Sequence, residues 1–380
     1  MPSSPSGLKL TTGDPALCAL AGCNKTAEVL CRRCMSTPAI GTAVPLLAEI
    51  AYCSEGHLEQ DAAQHEEMCT CRRWLRYVGR LGELHYLLFS IDCKEKSFQA
   101  LHYANSSKDG TALDIVYGDM QPWEPFCSFD VDKDVELCAL YNKHCDYAMA
   151  LGAGLMAYLN MNNEMRVKER HSLVDSRKIV RICYGSGEAQ NNENMRLSVF
   201  FLAPPFFAPR ADPFTEDGII LDPSGMQFYF KETIDTALEY QSKKGRHAED
   251  DQSRYHEPLG CAFKRHRDQL QKASGPVLDI LLNTEARIRA SWNIMYNELH
   301  LFGGAEGIDN SDDGQWEEFK ERIIRLLMNA HRGIRTEIDL INTIDGLQQD
   351  KIHEMKRKLV VRENGEGYER MVALLDDIGM

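Results

Sequence analysis

The sequence predicts an α+β protein with a small metal-held unit at its N-terminus, a mixed α/β region after it and a helical C-terminal region. Three observations lead there. Seven of the thirteen cysteines lie at or before Cys71, interleaved with histidines. Branched and aromatic residues concentrate in short runs between Ser97 and Phe230, the pattern of strands. From Phe263 onward apolar residues recur every three or four positions, the pattern of helices. At 380 residues and 43% hydrophobic content the chain is long enough to bury more than one core.

In chain order, residues 1–16 are rich in Ser, Pro, Gly and Thr and read as a flexible tail. The Cys/His-rich unit occupies 17–71. An α+β domain over 72–242 opens with Trp74, Val78, Leu81, Leu84 and Leu88, one apolar stripe on an amphipathic helix. Ser97–Asn105 and Thr111–Tyr117 then alternate around Lys108-Asp109-Gly110, as a hairpin requires. Asp132 or Asp134 caps a helix expected from Val135 to about Met161. Strands are expected at Lys178–Tyr184, Leu197–Ala203, Gly218–Leu221 and Met226–Phe230, with Asp222-Pro223-Ser224-Gly225 as the turn between the last two. The polar stretch Lys243–Pro258 reads as a linker. The helical region, 259–380, holds helices over Phe263–Leu301 and Trp316–Leu347, separated by the Gly/Asp-rich Gly303–Gly314.

The chemistry is concentrated in the N-terminal unit, whose spacing is C-x4-C-x7-C-x2-C-x18-C-x3-H-x7-H-x3-C, from Cys18, Cys23, Cys31, Cys34, Cys53, His57 and His65 to Cys69. Cys31-Arg32-Arg33-Cys34 is a compact knuckle that turns both sulfurs toward one ion, and zinc prefers tetrahedral sets of Cys and His. His65 and Cys69, four residues apart, share a face if they lie on a helix. In a reducing compartment, metal ligation is the main reason to cluster thiols. The later cysteines, Cys145 included, have no paired spacing and read as small buried hydrophobes.

Ala51-Tyr52-Cys53-Ser54, His57 and His65-x3-Cys69 resemble the second half of the MYND finger family, as found in uncharacterised fungal MYND-domain proteins. The resemblance covers Cys18–Cys69. It implies a two-zinc cross-brace, one ion on Cys18, Cys23, Cys53 and His57, the other on Cys31, Cys34, His65 and Cys69. Structural zinc contributes roughly 10–16 kcal/mol of apparent binding free energy in small fingers, so metal and fold should be inseparable in this unit. The sequence departs from the family in the four-residue gap between Cys18 and Cys23, in the insertion between Cys34 and Cys53, and in His57 where the family has Cys. Family members accept proline-containing peptides through a Gln and a Trp, where this chain has Leu58 and Ala62. The resemblance therefore implies a protein-interaction or stabilising module without that peptide preference.

Two enzyme readings compete with the module. A MYND-bearing lysine methyltransferase needs SET strands before the finger and an Asn-His pair, and the chain has neither. A papain- or transglutaminase-like thiol hydrolase, or its inactive relative, would centre on Cys145, because the segment Ile220–Phe228 resembles proteins with a Cys, His, Asp order; the strand Leu197–Ala203, which should carry the His, has none. Gly152-Ala153-Gly154 is a lone small-residue run inside an expected helix.

A net charge of -14 argues against nucleic acid as a partner. Without a secretory h-region or an apolar run of about 18 residues, the chain is expected to be intracellular, nuclear or cytoplasmic, with a protein partner and no membrane.

Overall fold

The computed structural model of the chain describes residues 7–9, 17–31, 50–96, 101–107, 112–117, 132–141, 145–160, 165–173, 179–183, 189–191, 196–203, 218–228, 230–244, 254–344 and 348–377. Within them the fold is α+β, with three sheets and a helical C-terminal half.

The N-terminal sheet joins β1 (Gly7–Lys9), β2 (Val29–Cys31) and β3 (Ala51–Tyr52), all antiparallel. Within the segment expected as a tail, β1 is thus paired, Gly7 opposite Cys31 and Lys9 opposite Val29. α1 (Glu55–Lys96) follows after a two-residue turn and runs unbroken for 42 residues. It contains both the His65/Cys69 pair and the expected amphipathic stripe, so one helix crosses position 71. Val78, Leu81, Leu84 and Leu88 are fully buried or nearly so, as their spacing requires.

β4 (Leu101–Ser106) and β5 (Ala112–Tyr117) form the expected hairpin. Its turn, Lys108–Gly110, lies outside the described residues. Within the helix expected over Val135–Met161 the described residues form α2 (Lys133–Tyr141) and α3 (Cys145–Leu159), and 142–144 lie outside them. Asp132 is the cap of α2, its Oδ1 accepting from the amides of Asp134 (2.9 Å) and Val135 (3.3 Å).

The strands that follow are β6 (Arg166–Leu173), β7 (Ile179–Cys183), β8 (Ala189–Asn191), β9 (Arg196–Ala203), β10 (Ile219–Leu221) and β11 (Ile234–Thr236). After β11 come α4 (Ala237–Lys244) and β12 (Arg254–Pro258). One sheet has the order β4-β5-β7-β8, with β5 and β7 parallel. The other has the order β11-β10-β9-β6-β12 with every neighbouring pair antiparallel. Two expectations fail here. Met226–Phe230 is not a strand: the Asp222–Gly225 turn tightens into a 3-10 turn over Gly225–Phe228, and Phe230 bonds back to the carbonyl of Gly225 (3.1 Å). Nor is Lys243–Pro258 simply a linker, since its end is β12, an edge strand whose polar residues suit its place at the sheet margin.

The C-terminal helices are α5 (Cys261–Lys272), α6 (Gly275–Phe302), α7 (Gly304–Asn310), α8 (Asp313–Asn342), α9 (Gln349–Arg362) and α10 (Glu366–Asp377). The stretch expected as one helix from Phe263 breaks at Ala273-Ser274, because Pro276 lacks an amide and disfavours helical geometry in the residue before it. α8 starts at a capping box in which Asp312 and Gln315 exchange hydrogen bonds of 2.8 and 3.1 Å.

β9 alternates between two cores. Phe200 and Leu202 face the main one, with α1 from Leu75 on, α3, α5, α6, α8 and α10, while Leu197, Val199 and Phe201 face a smaller one with Phe228, Phe230 and Tyr240. In α3, Gly154 leaves room for Trp292: a Cβ there would lie 2.7 Å from its ring. Trp292 is fully buried and donates to the Leu151 carbonyl at 2.7 Å. The Gly152-Ala153-Gly154 run is therefore a helix-packing device. A separate small core holds Cys18, Cys31, Tyr52, Leu58 and Cys69.

Candidate metal centre

The N-terminal sheet and the first turns of α1 bring the sequence-predicted side chains together in two groups. Cys18, Cys23, Cys53 and His57 converge, their ligand atoms all within 4.8 Å of one another, and Cys31, His65 and Cys69 do the same. Cys34 lies outside the described residues. Cys18 precedes and Cys23 closes a tight loop, with the Cys23 amide bonded to the Leu20 carbonyl at 3.0 Å. Cys31 ends β2 and Cys53 follows β3. His57, His65 and Cys69 project from α1, whose N-terminus is fixed by Ser54: its carbonyl accepts from Leu58 (3.2 Å) and its hydroxyl from the His57 amide (3.3 Å).

In the first group Cys18 Sγ lies 3.5 Å and Cys53 Sγ 3.3 Å from His57 Nδ1, and Cys23 and Cys53 sulfurs are 3.8 Å apart. Burial works against ionising Cys18, but its hydrogen bonds to His57 and to the amides of Cys53 and Leu20 outweigh this and bring its pKa down to about 6. Cys53 moves upward, through desolvation and the neighbouring thiols. A cation shared by the cluster would favour the ionised form of each thiol.

In the second group Cys31 Sγ lies 3.5 Å from His65 Nε2 and 3.7 Å from Cys69 Sγ. The other imidazole nitrogen is held from behind. Tyr52 donates its hydroxyl proton to Asp61 Oδ2 at 2.6 Å, and His65 Nδ1 sits 2.7 Å from that hydroxyl and 3.1 Å from the same carboxylate. Two acceptors around Nδ1 place the proton there and leave the Nε2 lone pair aimed at the sulfurs. This is the outer partnership that orients a ligating histidine. Tyr52 is fully buried and stacks on the His65 ring, centroids 5.6 Å apart. The sequence displayed the candidate ligands, with Tyr52 inside the quoted motif, but gave no sign that Tyr52 and Asp61 stand behind His65. Leu58 is fully buried in the small N-terminal core.

Cys145 is the first residue of α3. Burial, followed by the Asp146 charge, pushes its thiol up to about 11 against weaker opposition from Ser198, the reverse of what an activated nucleophile needs. A serine–histidine–aspartate succession does exist elsewhere: Ser291 Oγ is 2.8 Å from His331 Nε2, and His331 Nδ1 is 3.3 Å from Asp92 Oδ1. All three are completely buried and burial pulls His331 down to about 4, so the set ties α1, α6 and α8 together with no surface a substrate could reach.

A third convergent group, Glu169, His171 and Glu257, was not foreseen from the sequence. The spacing of Glu169 and His171 by two was the available signal, but β6 was not among the expected strands. Among the described residues no helix is long and apolar enough to cross a membrane. Comparison of the chain with family models, with curated proteins and with solved structures finds no match to any of them.

Proposed function

We propose that the N-terminal unit is a two-zinc finger of the MYND type that stabilises the chain's first segment and offers a protein-interaction surface. One ion is held by Cys18, Cys23, Cys53 and His57, the other by Cys31, Cys34, His65 and Cys69. The observation that carries this reading is metric. A tetrahedral zinc with its usual bond lengths separates two sulfurs by about 3.8 Å and a sulfur from an imidazole nitrogen by about 3.6 Å. The corresponding distances here are 3.7 and 3.8 Å between sulfurs and 3.3 to 3.5 Å between sulfur and nitrogen. The alternation of the two sets along the chain is what a cross-brace requires.

Four protein ligands leave an ion no open position, so zinc would supply folding energy here and not an activated water. The chain's own residues do the rest: Asp61 and Tyr52 fix the His65 tautomer, and Ser54 sets the start of α1. With Leu58 turned inward, the partner would be met by a surface other than the family's peptide groove.

Elemental analysis of the purified full chain should return two zinc ions per molecule, falling to one in a His65→Ala, Cys69→Ser variant. Partner capture from cell extract should be lost in that variant while the body keeps its helical circular dichroism. Zinc-free protein with unchanged order over residues 17–69 would refute the reading.

A further inference from the structure

We propose that Glu169, His171 and Glu257 form a third cation site, built on the five-stranded sheet and free of sulfur, that takes a divalent ion with oxygen and nitrogen preference such as Mn2+. The placement follows from strand geometry. Glu169 and His171 are two apart on β6 and so share a face, and the β6/β12 register sets Glu257 directly opposite Glu169. Their ligand atoms lie within 4.8 Å of one another. Two carboxylates facing each other across a ladder repel, so the arrangement calls for positive charge between them. Glu169 is completely buried and held in place by the amides of Gly260 and Ala262, at 2.8 Å each, where α5 begins.

The direction of the hydrogen bonds supplies a second, separate argument. The β6/β9 register sets Ser198 opposite His171. Ser198 Oγ is 2.6 Å from Asp146 Oδ1, and a carboxylate only accepts, so the one hydroxyl proton is spent there. The 2.9 Å contact between Ser198 Oγ and His171 Nδ1 must then be an Nδ1–H donating to the hydroxyl. That leaves His171 Nε2 directed at Glu257 Oε2, 2.9 Å away, where a proton or a cation has to stand between two electron-rich atoms. Ser198 and Asp146 hold the imidazole as an outer shell holds a metal-ligating histidine. One imidazole and two carboxylates make a donor set for Mn2+, Fe2+ or Zn2+.

Arg265 occupies the approach. Its guanidinium is paired with Glu257 and lies 3.8 Å from Asp146 and 4.0 Å from Glu169. The side chain is 38% exposed and can swing outward, exchanging its single charge for the double charge of an ion. Arg265 is thus a competitor for the site, and its removal should strengthen metal binding, an outcome that a merely structural ion pair does not produce.

The test uses the zinc-loaded full chain titrated with Mn2+ and followed by electron paramagnetic resonance, because Mn2+ does not displace zinc from thiolates. One Mn2+ per chain is expected, lost in His171→Gln and in Glu257→Gln. Arg265→Ala should bind at least about tenfold more tightly than wild type, since the guanidinium no longer competes at the carboxylates. Thermal melting checks that each variant folds; if Arg265→Ala does not, wild type against His171→Gln and Glu257→Gln decides. Failure of every folded form to bind Mn2+, or binding that survives both glutamine substitutions, overturns the site.

Discussion

His65 shows how a candidate ligand is oriented by residues outside the cluster it faces. Its Nδ1 is bracketed by Tyr52 and Asp61, and that bracket decides which nitrogen is offered to the sulfurs. Tyr52→Phe or Asp61→Asn should weaken zinc retention by about 10- to 100-fold in competition with a chelating dye, while leaving the stoichiometry at saturation unchanged. His85 makes a prediction about acid. It is completely buried, 3.0 Å from the Ala148 carbonyl, and burial lowers its pKa to about 4. Between its ordinary value and about 4 the unfolded chain takes up the proton first. Stability is therefore full above roughly pH 6.5 and declines below it, by about 2 kcal/mol by pH 5 from this residue alone. Urea titrations across that interval should show a shallower slope for His85→Gln. Gly154→Ala, which drives a methyl against the Trp292 ring, should cost roughly 1–3 kcal/mol by the same measurement.

Among the elements, α1 carries the most consequence. Its early turns hold His57, His65 and Cys69, and its middle turns present Arg73, Arg76 and Arg80 to the end of α7 and the start of α8. Arg73 pairs with Asp309, Arg76 donates to the Ser311 carbonyl, and Arg80 donates to the carbonyls of Ile308 (2.6 Å) and Ser311 (3.1 Å). Arg80 is nearly fully buried, and desolvation, with Arg76 next to it, lowers its pKa to about 10. Arg80→Met takes this donor from the Ile308 carbonyl and leaves Arg76 as donor to the Ser311 carbonyl, and it should cost about 2–4 kcal/mol in chemical denaturation. The sequence made the amphipathic half of α1 legible through the spacing Val78, Leu81, Leu84, Leu88. It hid the continuity, because the polar first turns show no apolar stripe. β6 and β12 escaped for a related reason: Glu169 and His171 are buried polar residues and Glu257 is half-buried, and a strand lined with them does not alternate as a half-solvated strand does.

At the scale of the whole molecule, the α+β class and the helical C-terminal half followed from periodicity and composition, whereas the order β11-β10-β9-β6-β12 depends on long-range pairing that no local pattern encodes. Two sets of apolar residues matter here. The core of Cys18, Cys31, Tyr52, Leu58 and Cys69 is distinct from the large one that α1 enters at Leu75. Removal of metal by a chelator should raise amide hydrogen exchange over residues 17–69 and leave α6 and α8 protected, as read by mass spectrometry. Loss of protection in α6 and α8 at the same rate would mean that the two cores unfold as one.

A helix of 42 residues at the standard rise is a rod of about 63 Å. His57, His65 and Cys69 lie on its first turns and Arg73, Arg76 and Arg80 near its middle, so both sets share one unbroken helix. A partner that held the amino-terminal end would bear on α7 and α8 through that continuous stretch of helix.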